Sequence, residues 1–429
     1  MLDKLHNWFF VHVTKFNLKL LFLKFLSLCI ILPLIAILSQ TLVRSIFNDT
    51  YADQVKTYVQ SDLNLIQNYP IVNGTQIDGW SDCSAIIQGL SVRGKSAFEL
   101  SQTGSYLGEC PKLIELNQNN QLGKIAETGI FPQYWHGYLV ITKPLIILLG
   151  VLNTKLFLNL ILLFSIFVLF YRLSERLSLT FFVSFFFIFL FSDLSVLFFS
   201  LPHIAWFIYM LLISLVYERY FSRLYKVLYY FFFIAGFANT FFDFGFTPVI
   251  GLAFLNVITF LKLPSPLNLN NFIKINVANF IWFIGMLYSI FSKMIFYSLD
   301  SGFNGSFNFF KKRILDDTVV KLDVGYMDGI TSTLRIAVSH VNFNLISLLF
   351  LVLIIFNLYK FLKLSLSQIF KILLAALTFT FPMFLYLFVT SDVTYVHSWM
   401  HFRNWTWLVC LNLILISRLN YKAIHASDK

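Results

Sequence analysis

Residues Leu20–Val43 read LLFLKFLSLCIILPLIAILSQTLV, 24 positions with Lys24 as the only charge. A helix needs about 20 predominantly apolar residues to cross ~30 Å of hydrocarbon, so this segment is long enough to span a bilayer. It does not read as a cleaved signal peptide. The stretch before its apolar core is too long, and Arg44-Ser45-Ile46 offers no small-x-small cleavage pattern. It reads as a signal anchor that delivers the following region to the far side of the membrane. That region, Ser45 to His136, is about 92 residues long and contains nine acids.

Nine further apolar stretches follow, at about 154–171, 178–192, 202–217, 227–242, 245–261, 275–298, 343–359, 372–390 and 405–417. The segment Tyr138–Gly150 is apolar but carries Lys143-Pro144, which suits an interfacial or re-entrant helix, or a longer second span kinked at Pro144. The expected fold is an all-α polytopic membrane protein of about 10 (10–12) transmembrane helices with an extracytoplasmic first-loop cap. Residues 1–44 form the cytoplasmic N-terminus and first span, and 45–138 the cap. Residues 139–429 form the multispanning bundle, with a second outer loop at 299–341 containing Lys311-Lys312-Arg313.

Composition agrees. Of the 429 residues, 58% are hydrophobic and 12% charged, about half the charged share a soluble domain carries. The net charge of +11 invites a nucleic-acid reading, but the basic residues are distributed as a topology signal. With both termini cytoplasmic, 17 basic and four acidic residues lie inside, against 15 basic and 17 acidic outside. That is the positive-inside bias, and it leaves no nucleic-acid partner to account for.

Within the first loop, Val55, Tyr58, Val59 and Leu63 have helical spacing over 51–66. Asn73-Gly74 and Asp78-Gly79 are turn signals, and Ser84–Leu90 reads as a further helix. Cys83 and Cys110 share this loop. In an oxidising compartment such a pair suggests a disulfide, with two unpaired buried thiols as the alternative.

Charged and polar groups at the membrane face are site candidates because lipid exposure is costly. Three acids qualify as a catalytic base. Asp82 is the first choice, because a bridge through Cys83 would hold it rigid against the membrane face. Asp49 just past the first span is second, and Asp243 among phenylalanines at the end of 227–242 is next. Tyr134-Trp135-His136-Gly137-Tyr138 is the densest polar-aromatic cluster, with Lys143 one to two helical turns further on. Lys293 lies inside the outer end of 275–298. His397, His401 and Arg403 belong to the last outer turn. Aromatic planes beside cationic and imidazole donors suit a sugar joined to a phosphate. For each of these residues a structural reading stands alongside: interface anchoring, snorkelling, or a solvated loop acid. The His397/His401 spacing also fits zinc, but position 398 is Ser, where a His-Glu-x-x-His protease needs Glu. The chain has no Walker loop, no G-x-S-x-G and no Cys-x-x-Cys, so ATP-driven transport and hydrolase chemistry lack support.

A signal anchor, a sizeable acidic outer loop and a Phe-rich bundle together resemble the GT-C superfamily of membrane glycosyltransferases. The resemblance is architectural and covers the whole chain. It implies a multi-pass enzyme of the bacterial cytoplasmic (inner) membrane that moves a sugar from a polyprenyl-phosphate donor to a glycan or lipid-linked acceptor on the extracytoplasmic face. It also implies a catalytic acid in the first outer loop. By position Asp49 matches the membrane-proximal acid, although the loop lacks the adjacent Asp-Asp or Asp-Glu pair seen in that superfamily. No cofactor is required, and a divalent metal is optional if Lys293, Arg403 and the histidines supply positive charge. Two alternatives stay open: an O-antigen or capsule polymerase, and a transporter or flippase of a lipid-linked glycan.

Overall fold

A computed structural model describes residues 18–61, 66–67, 71–72, 75–76, 79–104, 110–122, 125, 135–174, 200–242, 248–263 and 268–311, together with 331–332, 366 and 370. The expected spans at 178–192, 343–359, 372–390 and 405–417 lie outside the described residues, as does nearly all of the second loop beyond Lys311.

Helix α1 (Leu18–Ser45) is the expected first span, extended by about a turn. It presents Ile30, Leu34 and Leu38 outward and buries Ala36, Ile37, Gln40, Val43 and Arg44. The chain breaks at Phe47, whose φ of 43° is left-handed, and re-enters helix as α2 (Asn48–Ser61). Helix α2 buries Tyr51, Ala52, Val55, Tyr58 and Val59, the amphipathic stripe visible in the sequence. Strands β1 (Ile71–Val72) and β2 (Thr75–Gln76) pair antiparallel, with the Asn73-Gly74 turn signal between them. Helix α3 (Gly79–Gln88) starts five residues before the expected Ser84 and so takes Asp82 and Cys83 into its first two turns. An acid near a helix N-terminus is favourable there, which the turn signal at Asp78-Gly79 obscured.

The cap continues with α4 (Ala97–Thr103) and α5 (Cys110–Gln118). Helix α4 opens on a capping box formed by Ser96 and Glu99. The Cys83–Cys110 disulfide joins α3 to α5, with a Cα–Cα distance of 5.2 Å.

Helix α6 (Leu139–Leu149) keeps Pro144 inside it, and the break comes later, at Gly150 with φ 80°. Helix α7 (Val151–Ser174) follows at once. Helix α8 (Leu201–Arg219) is buried over most of its circumference. After α9 (Phe221–Leu224) and a 3₁₀ turn (Tyr225–Val227) come α10 (Leu228–Phe242), α11 (Pro248–Lys262), α12 (Leu269–Ser301) and α13 (Phe303–Lys311).

Among the described residues four helices are long and apolar enough to cross a membrane: Leu23–Ser45, Val151–Leu173, Leu201–Arg219 and Asn270–Ser301. The chain is an integral membrane protein. Helices α10 and α12 approach until side chains no longer fit between them. A Cβ on Gly236 would sit 2.1 Å from the Trp282 carbonyl, and one on Gly285 would sit 2.3 Å from that of Phe233. The cap is not a separate unit. Val55, Ile87 and Leu113 of the cap belong to the same apolar core as Leu162, Trp206 and Phe254 of the bundle.

Candidate functional site

The cap end of α1 carries Gln40 and Arg44 one turn apart, both buried. Arg44 donates to the Gln88 carbonyl at 2.6 Å and to Gln88 Oε1 at 3.1 Å. Gln88 is the last residue of α3, so the guanidinium meets the electronegative end of that helix. Lys143 of α6 donates to Asn48 Oδ1 at 2.6 Å and to the Arg44 carbonyl at 3.5 Å, and its Nζ lies 5.2 Å from the centre of the Tyr51 ring. Lys293 of α12 donates to the Ser101 carbonyl, near the C-terminus of α4, and lies 5.2 Å from the centre of the Trp135 ring. All three cations are buried. Each is answered by a helix-end carbonyl, and none of the three pairs with a carboxylate among the described residues.

The segment Trp135–Tyr138 threads between α1, α10 and α12. Trp135 Nε1 donates to the Ser289 carbonyl at 2.9 Å, and Gln40 Nε2 donates to the His136 carbonyl at 2.8 Å. Gly137 N–H bonds the Phe241 carbonyl at 2.9 Å, and a Cβ at Gly137 would sit 2.3 Å from that oxygen, so only glycine allows this approach. His136 is held at φ 56°, with its Nδ1 3.2 Å from the Tyr138 hydroxyl. The Trp135, His136, Tyr138, Lys143 and Lys293 set is thus brought together around α1. Tyr134 lies outside the described residues, as do Asp243, His397, His401 and Arg403.

Hydrogen-bond accounting identifies what this cluster lacks. Among the described residues Arg44 Nε and Gln102 Nε2 are buried donors without a partner, and Gln40 Oε1 is a buried acceptor without one. An unmet buried polar group costs about 1–3 kcal/mol. Thr41 Oγ1 lies 3.0 Å from Ser101 Oγ, which ties the strip carrying Gln102 to α1 and the cations. Burial first, and the neighbouring Arg44 charge second, push the Lys143 ammonium down to about 7. Donors outnumber acceptors, and the surplus is cationic. The complementary group is an anion with several acceptor oxygens.

The acids are placed differently. Asp82 Oδ2 forms an ion pair with Lys155 at 2.5 Å, and Oδ1 accepts the Leu201 N–H at 3.0 Å. Lys155 also donates to the Tyr58 hydroxyl at 3.2 Å. Asp82 therefore ties α3 to α7 and caps the first turn of α8, with both of its oxygens engaged. Asp49 is exposed in the first turn of α2, next to Asn48, the partner of Lys143. Among the described residues no three His, Cys, Asp or Glu side chains gather to hold a metal ion.

Arg44, Gln40, Gln102 and Lys155 escape a reading by motif. The available signal was Gln40 and Arg44 at i,i+4 on one face of a spanning helix, where buried polar groups mark sites. No protein-family profile, curated protein or solved structure matches the chain.

Proposed function

We propose that the chain is a membrane glycosyltransferase whose donor is a polyprenyl-phosphate sugar, with the Arg44–Lys143–Lys293 cluster receiving the donor phosphate. One observation carries this reading: a buried, cation-rich cluster with unmatched donors on Arg44 Nε and Gln102 Nε2 and no carboxylate partner among the described residues. Trp135 and Tyr138 are buried beside it, with Lys293 Nζ 5.2 Å from the centre of the Trp135 ring. In the transfer, an acceptor hydroxyl attacks the anomeric carbon as a carboxylate takes its proton. The bond from that carbon to the phosphate oxygen breaks, and the lipid phosphate leaves with its charge held by the cations. Asp49 is the first choice for that carboxylate, because it is exposed and adjoins Asn48. Asp82, with both oxygens bonded, serves the chemistry by fixing α3, α7 and α8. A divalent metal remains optional in this scheme, since the cations meet the leaving phosphate.

A second reading, a flippase for a lipid-linked glycan, draws on one part of that observation: no described carboxylate pairs with the cation cluster. Such a carrier needs the phosphate site and no base. Purified full-length protein in liposomes, given a panel of polyprenyl-phosphate sugars and lipid-linked acceptors, tests both. Sugar transfer that falls ~10²- to 10⁴-fold in Asp49→Asn supports the enzyme with Asp49 as base. Movement of a labelled lipid-linked glycan between leaflets without transfer overturns the enzyme in favour of the flippase.

A further inference from the structure

Two side chains on successive turns of α1 are each held at one end and left unmet at the other. Arg44 engages Gln88 with both Nη atoms, and its Nε has no partner among the described residues. Gln40, fully buried, donates through Nε2 to the His136 carbonyl, and its Oε1 is the end without a described partner. The geometry settles which way the Gln40 amide faces. A carbonyl oxygen only accepts, so the amide nitrogen must meet it and the amide oxygen must face away. That carbonyl is itself fixed. It also takes the Leu139 N–H at 3.0 Å at the head of α6, and His136 is held at its left-handed φ of 56°.

A buried acceptor here calls for something the rest of the cluster does not. Arg44 Nε and Gln102 Nε2 are unmet donors, and with Lys143 and Lys293 they suit an anion. A phosphodiester answers them with oxygens alone and has no hydrogen to give to Gln40. The polyprenyl side of such a donor is hydrocarbon and has none either. The hydrogen must therefore come from the sugar, and distance selects which part of it. Side chains at i and i+4 of a helix have Cβ atoms about 5–6 Å apart, and Gln Oε1 and Arg Nε lie equally many bonds beyond Cβ. A group that reaches Gln40 while the phosphate meets Arg44 must stand close to that phosphate. The hydroxyl or acetamido N–H on the carbon next to the anomeric one meets that condition.

We infer that Gln40 determines sugar specificity: its Oε1 accepts a hydrogen bond from the 2-hydroxyl or 2-acetamido group of the donor sugar while Arg44 Nε meets the phosphate. The inference rests on the proposed reading of the cluster as a polyprenyl-phosphate sugar site, and holds whether the sugar is then transferred or carried across the membrane. A site built around a buried acceptor rejects a ligand that lacks the matching donor, so the 2-deoxy sugar is the discriminating one.

The test is equilibrium binding to full-length protein in nanodiscs. Polyprenyl-phosphate glucose, mannose and N-acetylglucosamine are each compared with polyprenyl-phosphate 2-deoxyglucose. The tightest of these sugars should bind about tenfold better than the 2-deoxy compound. In Gln40→Met, and in Gln40→Asn, which keeps the amide but draws it back by a methylene, that ratio should fall to about one. Lys143→Met should weaken every donor by a similar factor. If no donor binds, or if Lys143→Met and Lys293→Met leave binding unchanged, the phosphate reading fails and this inference falls with it. If binding depends on those lysines but the 2-deoxy compound matches the tightest sugar, the phosphate site stands and the Gln40 assignment is overturned. A preference that survives both Gln40 variants overturns it equally, and water is then what Gln40 Oε1 meets. The comparison among sugars is made on the unaltered protein, so it can overturn the assignment even where a variant fails to fold. An intact Cys83–Cys110 bridge in each protein certifies folding.

Discussion

At the end of the bundle away from the cap, Lys262 of α11 meets Glu218 of α8 in a direct ion pair, both largely removed from solvent. At the cap end Arg44, Lys143 and Lys293 are buried more completely, yet they are met by the carbonyls of Gln88, Arg44 and Ser101 and the amide of Asn48. Among the described buried cations there, only Lys155, on Asp82, repeats the acid-paired arrangement. A paired charge is complete within the chain and fastens two helices. A cation held by carbonyls keeps spare N–H groups, which on the proposed function meet the donor phosphate. On that reading similar burial serves two purposes, and perturbing each set should give different results.

The largest effects belong to the paired set. Asp82→Ala and Glu218→Ala each leave a lysine buried beside a lost partner, and should cost about 3–5 kcal/mol in detergent-solubilised unfolding. Replacing both members of a pair with apolar residues should recover most of that loss. If Asp82→Ala is neutral, the comparison between pinned and waiting charge fails. Next in size, reduction of the Cys83–Cys110 bridge should cost about 3 kcal/mol, read as a lower unfolding midpoint.

The unpaired set should respond in ligand binding more than in stability. Lys143→Met and Lys293→Met should each cost at most about 1 kcal/mol of stability, because an apolar chain of similar length replaces an uncompensated charge. Each should weaken binding of a polyprenyl-phosphate sugar by about 10- to 100-fold, the worth of one charged hydrogen bond. Equal losses of stability in both sets would erase the distinction.

The smallest effect is that of pH. The Lys143 ammonium sits at about 7 in the folded protein against an ordinary 10.5. Affinity for a phosphodiester, whose own charge is constant, should decline as pH rises through about 7 and Lys143 loses its proton. Stability of the ligand-free protein should move the other way. The cost of burying the charged amine is full below about 7 and is relieved as pH climbs from 7 toward 10.5, where the unfolded chain binds more protons. Lys143→Met should flatten both profiles, in binding titrations and in unfolding scans.

What could be read from the sequence follows from how local each determinant is. The apolar run of α1, the Val55-Tyr58-Val59 stripe of α2 and the Cys83/Cys110 pair are patterns carried by the side chains themselves. The start of α3 at Gly79 and the break at Gly150 depend on competition between neighbouring signals, and Pro144, the stronger breaker on paper, stays inside a helix. The cation cluster was legible only in part. Lys143 and Lys293 stood out as charges at membrane depth, but their partners are mostly backbone carbonyls, which have no signature in residue type. Arg44 and Gln88 are 44 positions apart, so nothing near Arg44 separates a buried guanidinium from a snorkelling one.

The contact between Lys293 and Ser101 has a consequence for how the protein is made. The two residues are 192 positions apart, and at synthesis rates of about 5–20 residues per second the ammonium follows its carbonyl by about 10–40 s. For that interval the cap, on its proposed extracytoplasmic orientation, waits across the membrane for the α12 surface it docks on. Cys83 and Cys110, separated by 27 positions, reach the same compartment almost together. Oxidation can therefore brace the waiting cap before α12 has left the ribosome, and nascent chains arrested before residue 269 should already contain the bridge on a non-reducing gel.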